Sequence, residues 1–259
     1  MRDIVPAYLS SSKQQHSLDT PMTNAVPLDN VSHHDLRVRT GYSSEFGDSI
    51  NLALVFPTEF IYVQREYPIL FRKNSNGEFQ SFALLGLDKD ENLFLDEPSW
   101  NARYVPAIQQ RGPFLIGLHK TRTNPEPMVH IDLDHPRVST TEGEPVFLRH
   151  GGNSPLLEHT NRMLQIIYNG DGLAKSMFAA FEAEGLIESM EAQINLDDRV
   201  QYKLPDFFTI NQERLDALDG AALERLNKPG YLALAMIVVN SLGNIEWLIE
   251  LKNRKRASA

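Results

Sequence analysis

The residues whose types and spacing best suit chemistry are His130 and Asp132, two positions apart in an alternating segment. Side chains two residues apart on a β-strand share one face, so this imidazole and carboxylate could both reach one metal ion. A third ligand from His150 or His159 would complete the facial triad of an Fe(II) oxygenase, and Arg162 could pair with the carboxylate of 2-oxoglutarate. A metal-dependent oxygenase is therefore one hypothesis for this chain.

A simpler interpretation of the same segment is structural. In this alternation Ile131 and Leu133 are expected to face the core, while His130, Asp132 and Asp134 face water. Because that pattern needs no ion, the sequence favours a chain without a cofactor or metal. Iron with His130, Asp132 and His159 as ligands, together with 2-oxoglutarate, remains the alternative.

Other catalytic patterns are absent from the sequence. The chain has no cysteine, which excludes disulfides, thiolate nucleophiles and Cys-ligated zinc or iron–sulfur sites. It has no Gly-x-Ser-x-Gly nucleophile elbow and no glycine-rich nucleotide-binding motif. The residue types alone therefore favour no particular reaction.

One loop-rich segment carries the candidate binding residues. These are Trp100, Arg103, Tyr104, Arg111 and Phe114. Aromatic side chains and arginine dominate the energetics of protein interfaces, so the segment predicts a surface for a protein or peptide partner. The alternative is that Trp100 and Tyr104 only fix loops to a sheet.

Composition restricts the partners and the location. The net charge of −9 and a pI near 5.4 disfavour contact with nucleic-acid phosphates. The first residues lack the apolar core of a secretory signal, which predicts a cytoplasmic protein. The most apolar window, Tyr231 to Val239, is shorter than the ~20 residues that span a bilayer, so no transmembrane segment is expected.

Local patterns predict an α+β fold, with a β-rich N-terminal half in a mostly antiparallel or mixed sheet, packed with a helical C-terminal half. Short strand-like runs with turn residues between them extend from about residue 36 to 138, and Asn74 to Gly77 has the composition of a hairpin turn. Apolar residues then recur at helical spacing from Leu156. This pattern predicts one helix that ends at Gly170 and a second that starts at Gly172.

The same patterns predict the domain organisation. Residues 1–30 are polar and without periodicity, which indicates a flexible or extended arm. Residues 31–250 contain no Pro-, Gly- or Ser-rich linker and are expected to form a single domain. Residues 251–259 are basic, and this tail is predicted to fray into solvent.

Several short motifs follow one another in a distinctive order. They are Glu59-Phe60, Tyr67-Pro68-Ile69, Asn92-Leu93-Phe94, Tyr104-Val105-Pro106, Pro113-Phe114, Gly185-Leu186-Ile187 and Ser241-Leu242. In this order they resemble the SapC family of bacterial proteins, and the resemblance extends from about His34 to Leu242. It implies no catalytic residues, because the family has no agreed reaction.

The resemblance also suggests a cellular setting. The family takes its name from an association with bacterial surface layers, and similar proteins are encoded beside TonB-dependent receptors, tryptophan halogenases and cupin-like oxygenases. It implies an intracellular accessory or binding protein linked to surface-layer or TonB-dependent nutrient-uptake functions.

Overall fold

The computed structural model describes residues 24–118, 127–195 and 201–258. The strands within these ranges are β1 (Ala25–Pro27), β2 (Arg37–Val38), β3 (Leu52–Val55), β4 (Ile69–Lys73), β5 (Phe79–Leu84), β6 (Leu95–Asp96), β7 (Ser99–Trp100), β8 (Phe114–Leu118), β9 (Pro127–Asp132), β10 (Val138–Ser139), β11 (Glu144–Pro145), β12 (Ile187–Asn195) and β13 (Gln201–Ile210). The helices are α1 (Phe60–Val63), α2 (Ala107–Gln110), α3 (Pro155–Ala183), α4 (Gln212–Asp216), α5 (Gly220–Asn227), α6 (Tyr231–Ser241) and α7 (Asn244–Ser258).

The largest sheet is antiparallel, with strand order β12-β13-β4-β5-β3. The predicted hairpin joins β4 to β5, and the side chain of Asn74 accepts hydrogen bonds from the amides of Asn76 and Glu78 at 2.9 and 3.0 Å. Gly77 completes this turn at φ 80°, a conformation that glycine adopts without strain. The fold is mixed, with small antiparallel sheets and with helices in the C-terminal half. That half also supplies β12 and β13, so the strands are not confined to the N-terminal half.

A second sheet has the order β1-β9-β8, also antiparallel. Its inner face packs Phe114 and Ile131 into a second core, which includes Leu157 and Leu164 of α3. Within the arm of residues 1–30, which was predicted to be flexible or extended, Ala25–Pro27 are extended and pair with β9 as a strand. Residues 1–23 of that arm lie outside the described ranges.

One long helix, α3, connects the cores of the two sheets. Its first turns pack on the second sheet, and Met177, Phe178 and Phe181 pack in the main core. The prediction of two helices separated at Gly170 is wrong, because α3 continues through that residue. Gly170 lies where α3 crosses the segment Phe56–Thr58, and a Cβ there would come within 2.4 Å of the Cβ of Phe56. The glycine permits a close crossing rather than ending the helix.

The C-terminal helices also differ from the prediction. Residues 251–258 were expected to fray, but α7 continues to Ser258. Lys252 is buried at 7% exposure, and its ammonium group lies 2.7 Å from a carboxylate oxygen of Glu91 and also contacts Asp88. These ion pairs hold the second half of α7 against the loop that follows β5.

The helical run Tyr231–Ala257 has the length and apolar composition of a membrane span, and 22% of its apolar window is buried. The prediction that no segment is long enough to span a membrane considered only the apolar residues Tyr231 to Val239. In the structure, Leu242 and Gly243 join α6 to α7, and the two helices together form the longer run. The inner side of the run, including Ala235 and Val238, packs in the main core.

Candidate functional site

The candidate metal ligand His130 lies on β9 and is buried at 4% exposure. Its Nδ1 atom is 3.2 Å from the carbonyl oxygen of Met128, and its ring lies against Gly117, where an added Cβ would come within 2.2 Å of the ring. Ile131 enters the second core, so the predicted alternation is present. The expectation that His130 faces water is wrong, because its ring is covered.

The other candidate ligands have protein partners of their own. The Nε2 atom of His159, on α3, is 2.9 Å from the side-chain oxygen of Gln110, and Asp132 accepts a hydrogen bond from the amide of Asp134 at 3.2 Å. Burial, and to a lesser extent the charge of Arg162, lowers the pKa of His159. Across residues 24–118, 127–195 and 201–258, no three His, Asp or Glu side chains are grouped so that they could hold a metal ion.

Two of the candidate binding residues, Trp100 and Tyr104, belong to a buried hydrogen-bond network. The indole N–H of Trp100 donates to the hydroxyl of Tyr67 at 2.8 Å, and that hydroxyl donates to the carbonyl of Tyr104 at 2.7 Å. The hydroxyl of Tyr104 donates to Glu59 at 2.7 Å. The network fixes the segment between β7 and α2 to the main core.

Glu59 is the end of this network and is fully buried. One carboxylate oxygen accepts from the amide of Phe56 at 3.0 Å, and the other accepts from the amide of Ala107 at 2.9 Å. Burial raises the pKa of Glu59, and the hydrogen bonds from Ala107, Tyr104 and Phe56 act in the opposite direction. Because Ala107 is the first residue of α2, this carboxylate positions α2.

The remaining candidates do not share a surface with Trp100 and Tyr104. Arg103 is 85% exposed at its side chain and lies 3.6 Å from Glu66, whereas Phe114 is buried in the second core. Arg111 follows α2, and its Nη1 atom donates to the carbonyl of Phe114 at 2.6 Å. Of the five, Arg111 is the residue that lines a substantial cavity.

That cavity is an open cleft of about 460 Å³ between α2, β8 and α3. A volume of this order is typical of ligand-binding sites in proteins. Its apolar walls are formed by Ile108, Leu115, Ile116, Leu164, Ile167 and Tyr168. The polar groups at its margin are Arg111, Asn169 and Asp171, which supply one cation, one amide and one anion. The cleft can therefore take an apolar group and still orient it.

The cleft runs along an open edge of the second sheet. Within the described ranges, β9 is the only strand paired with β8. Leu115 and Ile116 are neighbours in β8, so their side chains point to opposite faces of the sheet. Both line the cleft. A cavity that is lined by two adjacent residues of one strand, and so by both faces of the sheet, must extend around the edge of that strand.

The hydrogen-bond register shows which backbone groups face this edge. The amide of Asp132 donates to the carbonyl of Pro113, and the amide of Leu28 donates to the carbonyl of Val129. Antiparallel partners alternate between bonded and non-bonded pairs. Leu115 and Gly117 therefore bond to β9, whereas the N–H and C=O groups of Ile116 point away from it.

The cleft was not predicted from the sequence. The apolar residues of α3 and β8 were recognised, but only as core, because periodicity does not show which apolar residues border a cavity. Arg111 was predicted as a binding residue from its residue type alone, and residue type did not indicate that Ile108 and Tyr168 line the same cleft. The missing signal was that β8 pairs on one side only among the described strands, and this depends on long-range topology.

The fold is a mixed α+β fold with an apolar cleft beside β8, which is an edge strand among the described residues. A family model described as SapC matches residues 28–248, and the chain belongs to this family. Neither the curated proteins nor the solved structures contain a match to the chain.

Proposed function

We propose that this SapC-family protein is a non-enzymatic binding protein that takes an extended segment of a partner protein into the cleft between β8 and α3. The observation that carries the proposal is that the apolar cleft lies along a strand edge. An added strand would pair with the backbone of Ile116, while its apolar side chains would enter the cleft.

The backbone chemistry favours a peptide over a compact small molecule. An unpaired strand edge presents N–H and C=O groups that another extended chain can satisfy, and domains that bind peptides by strand addition use such edges. Main-chain hydrogen bonds supply affinity in this mode, and pockets for alternate side chains supply specificity. The apolar walls Leu164 and Ile167 provide such a pocket here.

The first position of β8 limits where a partner can pair. The amide of Phe114 donates to the carbonyl of Arg111, and the carbonyl of Phe114 accepts from the Arg111 side chain. These bonds cap the edge at its N-terminal end. Pairing is therefore expected at Ile116 and towards Leu118, with the Arg111 side chain beside the end of the added segment.

The cellular setting is proposed from the family resemblance alone. It is a cytoplasmic accessory role in surface-layer or TonB-dependent nutrient-uptake functions.

The experiment selects binders from a displayed library of random peptides and measures their affinity for three proteins. These are the wild type, Ile116→Ala and Ile116→Pro. Both variants lose the isoleucine side chain, but only proline removes the outward N–H, and proline is tolerated at strand edges. We expect Ile116→Pro to bind about tenfold or more weakly than Ile116→Ala, since a hydrogen bond is lost and the proline ring obstructs the edge.

Two results would overturn the proposal. One is a selection that yields no binder to the wild-type protein. The other is equal affinity in the two variants, both folded by circular dichroism, which would assign the cleft to a ligand that does not use the strand backbone.

A further inference from the structure

A second cavity continues the cleft along α3. It is a groove of about 420 Å³ between α3 and the strands β3 and β5, here called the acidic groove after Glu78, Asp171 and Glu182 of its lining. Asp171 also borders the cleft. The α3 residues that line first the cleft and then the groove recur at intervals of three and four, which places them on one face of the helix. They are Leu164, Tyr168, Asp171, Lys175, Phe178 and Glu182.

The acidic groove differs from the cleft in its charge. Its lining holds three carboxylates and one ammonium group, that of Lys175, so its net charge is negative. Glu182 lies in the last turn of α3, and that turn contains no basic residue. The C-terminal end of a helix carries a partial negative charge, which adds to that of the carboxylates. The groove therefore favours a cation.

A buried hydroxyl group lies on the sheet side of the acidic groove. Phe79 and Ser81 are two positions apart on β5 and share the face that packs on α3, where the rings of Phe79 and Phe178 stack at 5.6 Å. Ser81 is 3% exposed, and its hydroxyl has no hydrogen-bond partner among the residues that the structure describes. Buried polar groups are normally paired. A hydrogen-bond donor that enters the groove would supply the missing partner.

The two cavities together determine how long a bound segment can be. Leu164 and Glu182 lie in one helix, and the positions between them correspond to about 27 Å at ~1.5 Å per residue. An extended chain covers this distance in about eight residues. One continuous partner segment can therefore occupy both the cleft and the acidic groove.

We propose that the partner segment carries a lysine or arginine beside its apolar residues, and that the acidic groove holds this basic residue. The inference rests on the proposed function, because the strand added at Ile116 brings the segment to the groove. The stem of the basic side chain packs on Phe79 and Phe178, and its cationic group donates to the carboxylates and to Ser81. Charge complementarity of this kind selects the partner, since a segment with an acidic residue at that position is repelled.

The first test uses peptides selected on the wild-type protein from the displayed library. We expect them to carry lysine or arginine at one fixed distance from their apolar residues. Glu182 lines the groove but not the cleft, so Glu182→Lys leaves the cleft intact. This variant should bind about fivefold more weakly at low salt, and the difference should shrink at high salt because the carboxylate is exposed. Glu158→Lys is the matched control, with the same charge change at an exposed position of α3 outside both cavities.

The second test exchanges the charges and removes the hydroxyl. A selected peptide whose basic residue is replaced by glutamate should bind Glu182→Lys more tightly than it binds the wild type. Ser81→Ala should bind the original peptide about threefold more weakly or worse, with its urea unfolding unchanged. A purely structural role for Ser81 would give the opposite pattern.

Different results decide the proposed function and this inference. Equal affinities of Ile116→Ala and Ile116→Pro would overturn strand addition itself, and the inference with it. If strand addition holds, three results would overturn the inference alone. These are selected peptides without a basic residue at a fixed position, equal binding by Glu182→Lys and Glu158→Lys, and full affinity in Ser81→Ala.

Discussion

The close crossing at Gly170 gives the sharpest prediction on the fold. Replacing Gly170 by alanine would place a Cβ 2.4 Å from the Cβ of Phe56 and 2.6 Å from the hydroxyl oxygen of Thr58. Neither neighbour can retreat easily, because the Phe56 atom is next to the backbone and Thr58 donates to the carbonyl of Ile166 at 2.8 Å. The helix or the segment Phe56–Thr58 must therefore move.

The magnitude follows from two opposing terms. Overpacking of this severity costs about 3 kcal/mol, and replacing a glycine inside a helix by alanine recovers about 1 kcal/mol. The net expectation for Gly170→Ala is a loss of about 2 kcal/mol in the free energy of unfolding, or a melting temperature about 4–8 °C lower for a chain of this size.

Gly172 provides the matched control in the same helix. A Cβ at Gly172 would meet nothing within 4 Å, so Gly172→Ala keeps only the favourable helix term. We expect it to stabilise the protein by about 0.5–1 kcal/mol. Both variants are compared by urea unfolding monitored by circular dichroism. A Gly170→Ala protein as stable as Gly172→Ala would refute the crossing described for α3.

Two further predictions concern buried polar groups. Tyr67→Phe removes the hydroxyl that joins Trp100 to Tyr104 and leaves a buried N–H and a half-buried carbonyl unpaired. Urea unfolding should therefore show a loss of about 2–4 kcal/mol, and an unchanged midpoint would contradict the network. The pKa of His135 is lowered to about 4, first by burial and then by the charges of Arg137 and Arg111. Between about pH 6.5 and pH 4, His135 is protonated in the unfolded chain but not in the folded protein, so the free energy of unfolding decreases as pH falls through this window. His135→Asn should make the free energy of unfolding less dependent on pH in this range.

The sequence correctly predicted those secondary-structure elements whose formation depends on residues close together in the chain. The hairpin at Asn74 to Gly77 was predicted because its turn residues act locally, and the apolar periodicity of α3 was recognised for the same reason. The helix was predicted to end at Gly170 because glycine often ends helices, but a glycine inside a helix can also allow another segment to pack closely against it. Gly170 is required by Phe56, more than a hundred residues earlier, and no local pattern contains that contact.

The candidate site was predicted less completely than the fold. The alternating pattern correctly predicted that Ile131 lies in a core, but it wrongly predicted that His130 is exposed. The ring of His130 is covered because it lies against Gly117, which belongs to another strand. The cleft itself depends on β8 being paired on one side only within the part of the chain that the structure describes. Edge position is a property of the whole sheet, and a single strand sequence does not carry it.

Amide hydrogen exchange at β8 tests the binding proposal most directly. In the protein without peptide, the N–H groups of Leu115 and Gly117 should exchange slowly because they bond to β9, whereas that of Ile116 should exchange faster. A saturating concentration of a peptide selected for binding to the cleft should slow the amide exchange of Ile116 by about tenfold or more, because its N–H then forms a hydrogen bond with the added strand. If Ile116 is already as protected as its neighbours in the free protein, or is unchanged by the peptide, the edge is not the binding surface.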